Sequence, residues 1–180
     1  MAVLSAIVAV LGVLTTLNLL LCFAIVRRLR ESAGDRADPA IAALPRAGRR
    51  VQPFTVATIT GEPLSDRDLA GRTGLVAFVS PNCRACHGLV DELDPGEQDL
   101  PSTIVVFVIG SAADGAPLDF ARKFHPAVRV AVVEQGGPVP AAFGAGDMTP
   151  TVLRLENGVV QAAGPGLGVV LDRAQVLAGS

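Results

Sequence analysis

The sequence predicts an α/β domain, with a mixed sheet covered on both faces, carried behind one transmembrane helix. Residues 2–26, "AVLSAIVAVLGVLTTLNLLLCFAIV", contain no charge. Three apolar runs of strand length, "LVAFVS", "TIVVFVIG" and "VRVAVVE", recur with helical segments between them, the pattern of strands buried on both faces. Near the end, "TVLRLE-NG-VVQAAG" reads as an antiparallel hairpin, because Asn157-Gly158 suits the positive φ angles of a tight turn. Together these divide the chain into an anchor (1–27), a juxtamembrane linker (28–50) and one domain (51–180).

The anchor is long enough for its task. As a helix rising 1.5 Å per residue, 25 residues span about 37 Å, enough for a bilayer core with some tilt. A cleaved signal peptide fits less well, since a basic leader is missing, the apolar run is too long and no A-x-A-like site comes before the charges. Lipidation at Cys22 fits less well still, and Cys22 reads as apolar filler. Arg27, Arg28 and Arg30 follow the helix, and by the positive-inside rule they favour a cytoplasmic domain. Residues 31–50 mix Ala, Gly, Pro and charge without periodicity, as a tether does.

Beyond the tether the signals alternate. "FTVATI" (54–59) reads as a short strand before the turn "TGEP", and "SDRDLAG" as a short helix capped by Ser65 and stopped by Gly71. After the strand 75–80 comes a helix from Cys83 to about Leu93, stopped by "DPG". The strand 103–110, the short helix "PLDFARKF", the strand 128–134 and the turn "PAAFGA" lead to the hairpin. "GVVLDRAQVLAG" closes the domain as an amphipathic helix.

Charge excludes one class of partner. Residues 27–50 carry seven Arg against three acids, whereas residues 51–180 carry eight basic residues against fourteen acids. An acidic domain without Trp or Tyr offers no basic face for nucleic acid.

The stretch that carries chemistry is "SPNCRACHGL" (80–89). Cys83 and Cys86 fall between the end of a buried strand and the start of a helix. Backbone N–H groups and the helix dipole stabilise a thiolate there, lowering the pKa of Cys83 below the ordinary thiol value. Cys83 is then the nucleophile, and Cys86, one turn on, is placed to attack a mixed disulfide and release the substrate. Arg84, between them, adds thiolate stabilisation or is simply solvated, and His87 reads as a packing or solvent residue that tunes the thiolate as a secondary effect. Other readings stay open at this point. C-x-x-C-H is also the c-type haem attachment motif, with Met148 as a second axial ligand. A zinc site would have only His87 and His125 to add, so no metal is expected. A purely structural disulfide would make the domain a docking or chaperone module. His125 reads as a surface residue at a helix end.

A second stretch, "DMTPTVLRLENG" (147–158), puts Thr149-Pro150 directly before a strand and hairpin. With the strand-Cys-x-x-Cys-helix, this resembles the thioredoxin superfamily across about residues 52–178. The resemblance implies a thioredoxin-like fold with an αβ insertion before a cis proline, Pro150 facing the two sulfurs, and Thr149 with Pro150 aligning a substrate backbone. The entry "VQPFTVATITGEPLSDRDLAGRTGLVAFVSPNC", the inserted strand and the membrane helix resemble the TlpA-like branch, and within it the membrane-anchored accessory proteins of methylamine utilisation (MauD-like). This implies an extracytoplasmic, bacterial thiol–disulfide oxidoreductase, set against the arginine rule above. Its partners would be protein thiols or disulfides and a redox donor or acceptor. No bound cofactor is needed, because the dithiol is itself the redox centre.

Three departures stand out. Asn82 precedes Cys83 where classical thioredoxins carry Trp. Ala77 stands where thioredoxin has a buried carboxylate, so deprotonation of Cys86 falls to water or another group. The pair Arg84-Ala85 is not a familiar one and does not reveal the direction of electron flow. A related peroxidase would need Pro-x-x-x-Thr/Ser-x-x-Cys, but Val76 occupies the proline position seven before Cys83.

Overall fold

The computed structural model describes Gly12, Thr15 and residues 44–95, 100–111 and 113–178. The chain divides into two compact units, Met1–Ala42 and Ala43–Ser180. The anchor expected over residues 1–27 and the linker from 28 to 43 lie outside the described residues, Gly12 and Thr15 apart. Among the described residues no helix is long and apolar enough to cross a membrane.

The second unit is built on a five-stranded sheet. In chain order come β1 (Thr55–Ala57), β2 (Pro63–Ser65), a 3-10 turn (Asp66–Leu69), β3 (Thr73–Val79) and α1 (Arg84–Glu92). Then follow β4 (Thr103–Ile109), α2 (Gly115–Ala121), β5 (Arg129–Val133), α3 (Pro138–Phe143), β6 (Thr151–Glu156), β7 (Val159–Gly164) and α4 (Leu167–Ala178). The sheet order is β5-β4-β3-β6-β7, while β1 and β2 pair as a separate hairpin. Strands β3, β4 and β5 are parallel, and β6 and β7 run antiparallel to them. The three parallel strands are the three apolar runs of the sequence. From β3 onward, leaving out α2 and β5 gives a β-α-β-α-β-β-α unit, so these two elements are the expected insertion at one sheet edge.

Period-two alternation sends successive residues of β3 and β4 to opposite faces. Val76, Phe78, Val105 and Phe107 face one core with Phe54, Leu69 and Phe143. Leu75, Ala77, Val79, Val106 and Val108 face the other with Cys86, Leu89, Phe120 and Val170. Both faces are covered, which is why these strands read as unbroken apolar runs. Four rings fill the first core, with centroids 5.1 Å apart for Phe78–Phe107 and 5.3 Å for Phe54–Phe143.

Several elements differ from expectation at their ends. The strand expected over 54–59 stops at Ala57, because Thr58 begins a turn: its N–H donates to Glu62 O at 2.8 Å and its hydroxyl accepts from Glu62 N at 3.1 Å. The helix expected over "SDRDLAG" is a four-residue 3-10 turn. Ser65 caps it through Asp68, whose carboxylate accepts from the Ser65 N–H at 2.7 Å, and Gly71 stops it at φ +72°. The helix placed at 117–124 begins at Gly115 and ends at Ala121. Pro117 is tolerated in its first turn, where backbone N–H groups lack intrahelical partners. Asn157 and Gly158 adopt φ 53° and 73°, as a tight hairpin turn requires.

The linker was expected to run to residue 50, but its last residues belong to the domain. Gly48 N donates to Val160 O at 2.8 Å, Val160 N to Arg49 O at 2.9 Å and Val51 N to Gly158 O at 2.9 Å. Residues 48–51 thus line the outer edge of β7, and Leu44 is buried in the core that holds Phe143. An apolar Leu-Pro pair and an unfilled strand edge explain the change: both gain by docking.

Candidate active site

Strand β3 ends at Val79, and a short turn leads to α1. Cys83 N donates to Ser80 O at 3.1 Å, closing the turn. Cys83 is the N-cap of α1, with extended φ −93° and ψ 110°. Its Sγ accepts the backbone N–H of Cys86 at 3.2 Å. A sulfur thus fills the place usually taken by a Ser or Asp oxygen, and shares the Cys86 N–H with the Cys83 carbonyl oxygen at 3.0 Å.

Cys83 and Cys86 are joined as a disulfide, with Cα atoms 5.3 Å apart. The two sulfurs differ in access. Cys86 is fully buried, in the apolar cluster with Leu75, Ala77, Val79 and Leu89. Cys83 is half-buried, and Asn82, Arg84 and Ala85 around it are exposed. An incoming thiolate therefore meets Cys83 first. No acidic residue stands in the first turn of α1, so nothing there opposes a negative sulfur. Arg84 opens the helix, where the dipole disfavours a cation unless an anion lies near it.

The proline expected to be cis is cis, at Thr149–Pro150. Pro150 is buried and Thr149 half-buried, and Thr151 Oγ1 donates to Met148 O at 2.8 Å. Register brings this loop to the redox pair: Thr151, the first residue of β6, pairs with Phe78, the last residue but one of β3. Pro150 and Cys83 thus stand at the same end of the sheet. Met148 packs against the core that holds Phe78 and Phe143.

His87 and His125 separate. His87 Nε2 lies 3.1 Å from Pro81 O, and its ring meets Phe120 edge-on with centroids 4.9 Å apart. His125 is exposed beyond α2, just before β5; the parallel strands begin at that end, opposite the cysteines. Among the described residues no three His, Cys, Asp or Glu cluster as metal ligands. Ala77 is buried in the same apolar cluster as Cys86, so the position lacking a carboxylate lies on the face of the sheet that holds the buried sulfur.

Sequence reasoning missed two features. Phe120 as the seat of His87 lacked any local signal, because 33 positions part them in the chain. The Asp68–Arg129 ion pair, 3.2 Å long, joins the 3-10 turn to β5. Burial pushes the Asp68 carboxyl up, but the Ser65 N–H, the Ser65 hydroxyl and Arg129 outweigh it and hold it below the usual carboxylate value.

A central mixed sheet, a Cys-x-x-Cys at the start of the first helix and a cis proline opening the next strand pair define the thioredoxin fold. No protein-family model matches the sequence, and no curated protein matches it. The solved structures it resembles include thiol–disulfide interchange proteins, disulfide oxidoreductases and thioredoxins. One is a thiol:disulfide interchange protein DsbE from Chlorobium tepidum, 18% identical, covering 74% of this chain and 97% of that one at a TM-score of 0.59. Another is a secreted Mycobacterium tuberculosis disulfide oxidoreductase, 17% identical over 68% of this chain and 90% of that one, TM-score 0.52. A third is the exposed lipoprotein thioredoxin Etrx1 of Streptococcus pneumoniae, 17% identical over 69% and 98%, TM-score 0.52. At these identities the likeness shows the fold.

Proposed function

We propose that this chain is a membrane-tethered thiol–disulfide oxidoreductase whose Cys83–Cys86 pair exchanges with protein thiols and disulfides. The observation that carries the reading is the asymmetry of the pair: an accessible sulfur capping a helix and a fully buried one behind it. In the reducing direction, the Cys83 thiolate attacks a substrate disulfide, forming a mixed disulfide and releasing one substrate thiolate, which takes a proton. Cys86 gives its proton to water and attacks Cys83 Sγ, releasing the second substrate thiolate. Two electrons pass from the pair to the substrate, and the reverse sequence oxidises a substrate dithiol. Arg84 stabilises the Cys83 thiolate, while Thr149 and Pro150 present a backbone edge without a proline N–H, where a substrate strand aligns.

The apolar run 2–26 is the anchor, and the domain stands on the outer face of a bacterial plasma membrane. The secreted and exposed proteins among the similar structures support that side; the arginines after the anchor oppose it. The substrate is a disulfide-rich or cofactor-bearing partner matured there, as in the MauD-like accessory proteins.

The test uses the full chain in detergent micelles, equilibrated with glutathione or dithiothreitol buffers, with free thiols counted by mass tagging. The pair is expected to titrate as one two-electron couple, and Cys86→Ser to trap a mixed disulfide that Cys83→Ser does not form. A pair that resists every buffer would make the disulfide structural and the domain a docking module. Mass tagging of Cys83 by an impermeant maleimide in whole spheroplasts decides the membrane side.

A further inference from the structure

We propose that His87 is a positioning residue for the redox pair, through which the inserted helix α2 holds Cys83 in its reactive geometry. The inference rests on the thiol–disulfide reading above. His87 lies four residues after Cys83, so both stand on one face of α1. Its Nε2 is 3.1 Å from the carbonyl oxygen of Pro81. A carbonyl only accepts, so Nε2 carries the proton and donates. The carbonyl it holds belongs to the turn between β3 and α1, the same turn that Cys83 N closes on Ser80 O.

The imidazole has a second hold. Phe120 of α2 meets it edge-to-face, with ring planes at 74°. Phe120 is itself buried and braced by Phe124 at 5.7 Å and 88°. An exposed histidine is thus fixed at two points, a seat on the insertion and a hydrogen bond to the turn. The turn in turn sets where Cys83 Sγ lies relative to the Cys86 N–H that it accepts at 3.2 Å. Stabilisation of the thiolate by that N–H and by the dipole depends on this aim. A turn of three residues held only by its own backbone would have more freedom to lose it.

The chain has two histidines, so selective 15N labelling of the full chain in detergent gives two imidazoles, assigned with His125→Asn. At pH 8 the His87 ring is expected as the Nε2–H tautomer; the Nδ1–H tautomer would overturn the proposal. Two variants then separate the donor from the ring. His87→Phe keeps a ring against Phe120 and loses the hydrogen bond, whereas His87→Gln keeps an N–H donor of similar reach. With the reduced form less stabilised, His87→Phe should shift the dithiol–disulfide equilibrium toward the disulfide by roughly threefold to tenfold, the range of one lost hydrogen bond. Tenfold corresponds to about 30 mV for this two-electron couple. Alkylation of Cys83 at pH 6 should slow by a similar factor, and His87→Gln should stay within about twofold of the parent. Phe120→Leu, which removes the seat, should move in the direction of His87→Phe.

Wild-type values in His87→Phe, whatever its melting temperature, would reduce His87 to packing and overturn the proposal. So would a His87→Gln shifted as far as His87→Phe, and a Phe120→Leu with unmoved values would remove α2 from it. Failure of the underlying reading looks different: there the wild-type pair itself would not exchange with any buffer.

Discussion

Cys86 must shed a proton among hydrocarbon. Its neighbours Ala77, Val79 and Leu89 are buried and apolar, so in the proposed cycle the resolving step waits on solvent. The mixed disulfide with a model peptide is therefore expected to accumulate at pH 6 and to decay faster as pH rises, about tenfold per pH unit while the thiol stays protonated. Acid quenching followed by mass spectrometry reads this directly, and a pH-independent decay would reveal another base. Asp68 titrates with the fold instead. Its folded pKa lies below the unfolded value, so its contribution is present above the ordinary carboxylate pKa of about 3.9 and is lost as pH falls through the folded value. Asp68→Asn should therefore lower stability at pH 7 and match the parent near pH 2, as measured by urea unfolding. A penalty that persists at pH 2 would mean that Asp68 acts through shape and not charge.

At the scale of elements, α3 shows how a short helix is made to stop. Gly144 takes φ +68° as its left-handed cap, and a Cβ there would come within 2.6 Å of Arg49 Cζ. Gly144→Ala faces both penalties and should cost about 1–3 kcal/mol in urea unfolding; a neutral result would mean that Arg49 simply swings away. Phe143, fully buried among Phe54, Phe78 and Phe107, anchors the same helix. Phe143→Ala should cost about 3–5 kcal/mol, and a loss under 1 kcal/mol in the same measurement would show that the ring cluster closes over the gap. Sequence reading was strongest where burial was complete. Strands β3, β4 and β5 are legible because each is apolar on both faces, and β6–β7 because Asn157-Gly158 marks the turn. It was weakest where polar side chains decide. The hydroxyl of Thr58 ends β1 early, and nothing in "FTVATI" separates a strand residue from a turn residue.

For the whole molecule, the redox end of the sheet was readable because one motif names each half of it: Cys83-x-x-Cys86 after β3 and Thr149-Pro150 before β6. Neither motif contains the register that brings them together, since Phe78↔Thr151 is a pairing across 73 positions. The cis state of Pro150 came from resemblance and not from local chemistry. Residues 44–50 were the opposite case. Their Ala, Pro, Gly and Arg look like tether, and only the vacant side of β7 tells them what to become. That docking decides which fragments of the protein behave. A chain begun at Val51 would leave the backbone groups of Val160 without partners and uncover the site of Leu44, turning a closed sheet margin into a template for another strand. Such a fragment is expected to self-associate, whereas one begun at Ala43 should elute as a monomer, as size-exclusion chromatography with light scattering would report. The shorter piece would then present Cys83 in a crowd of its own copies, and intermolecular disulfides formed there would be mistaken for the chemistry of the single molecule.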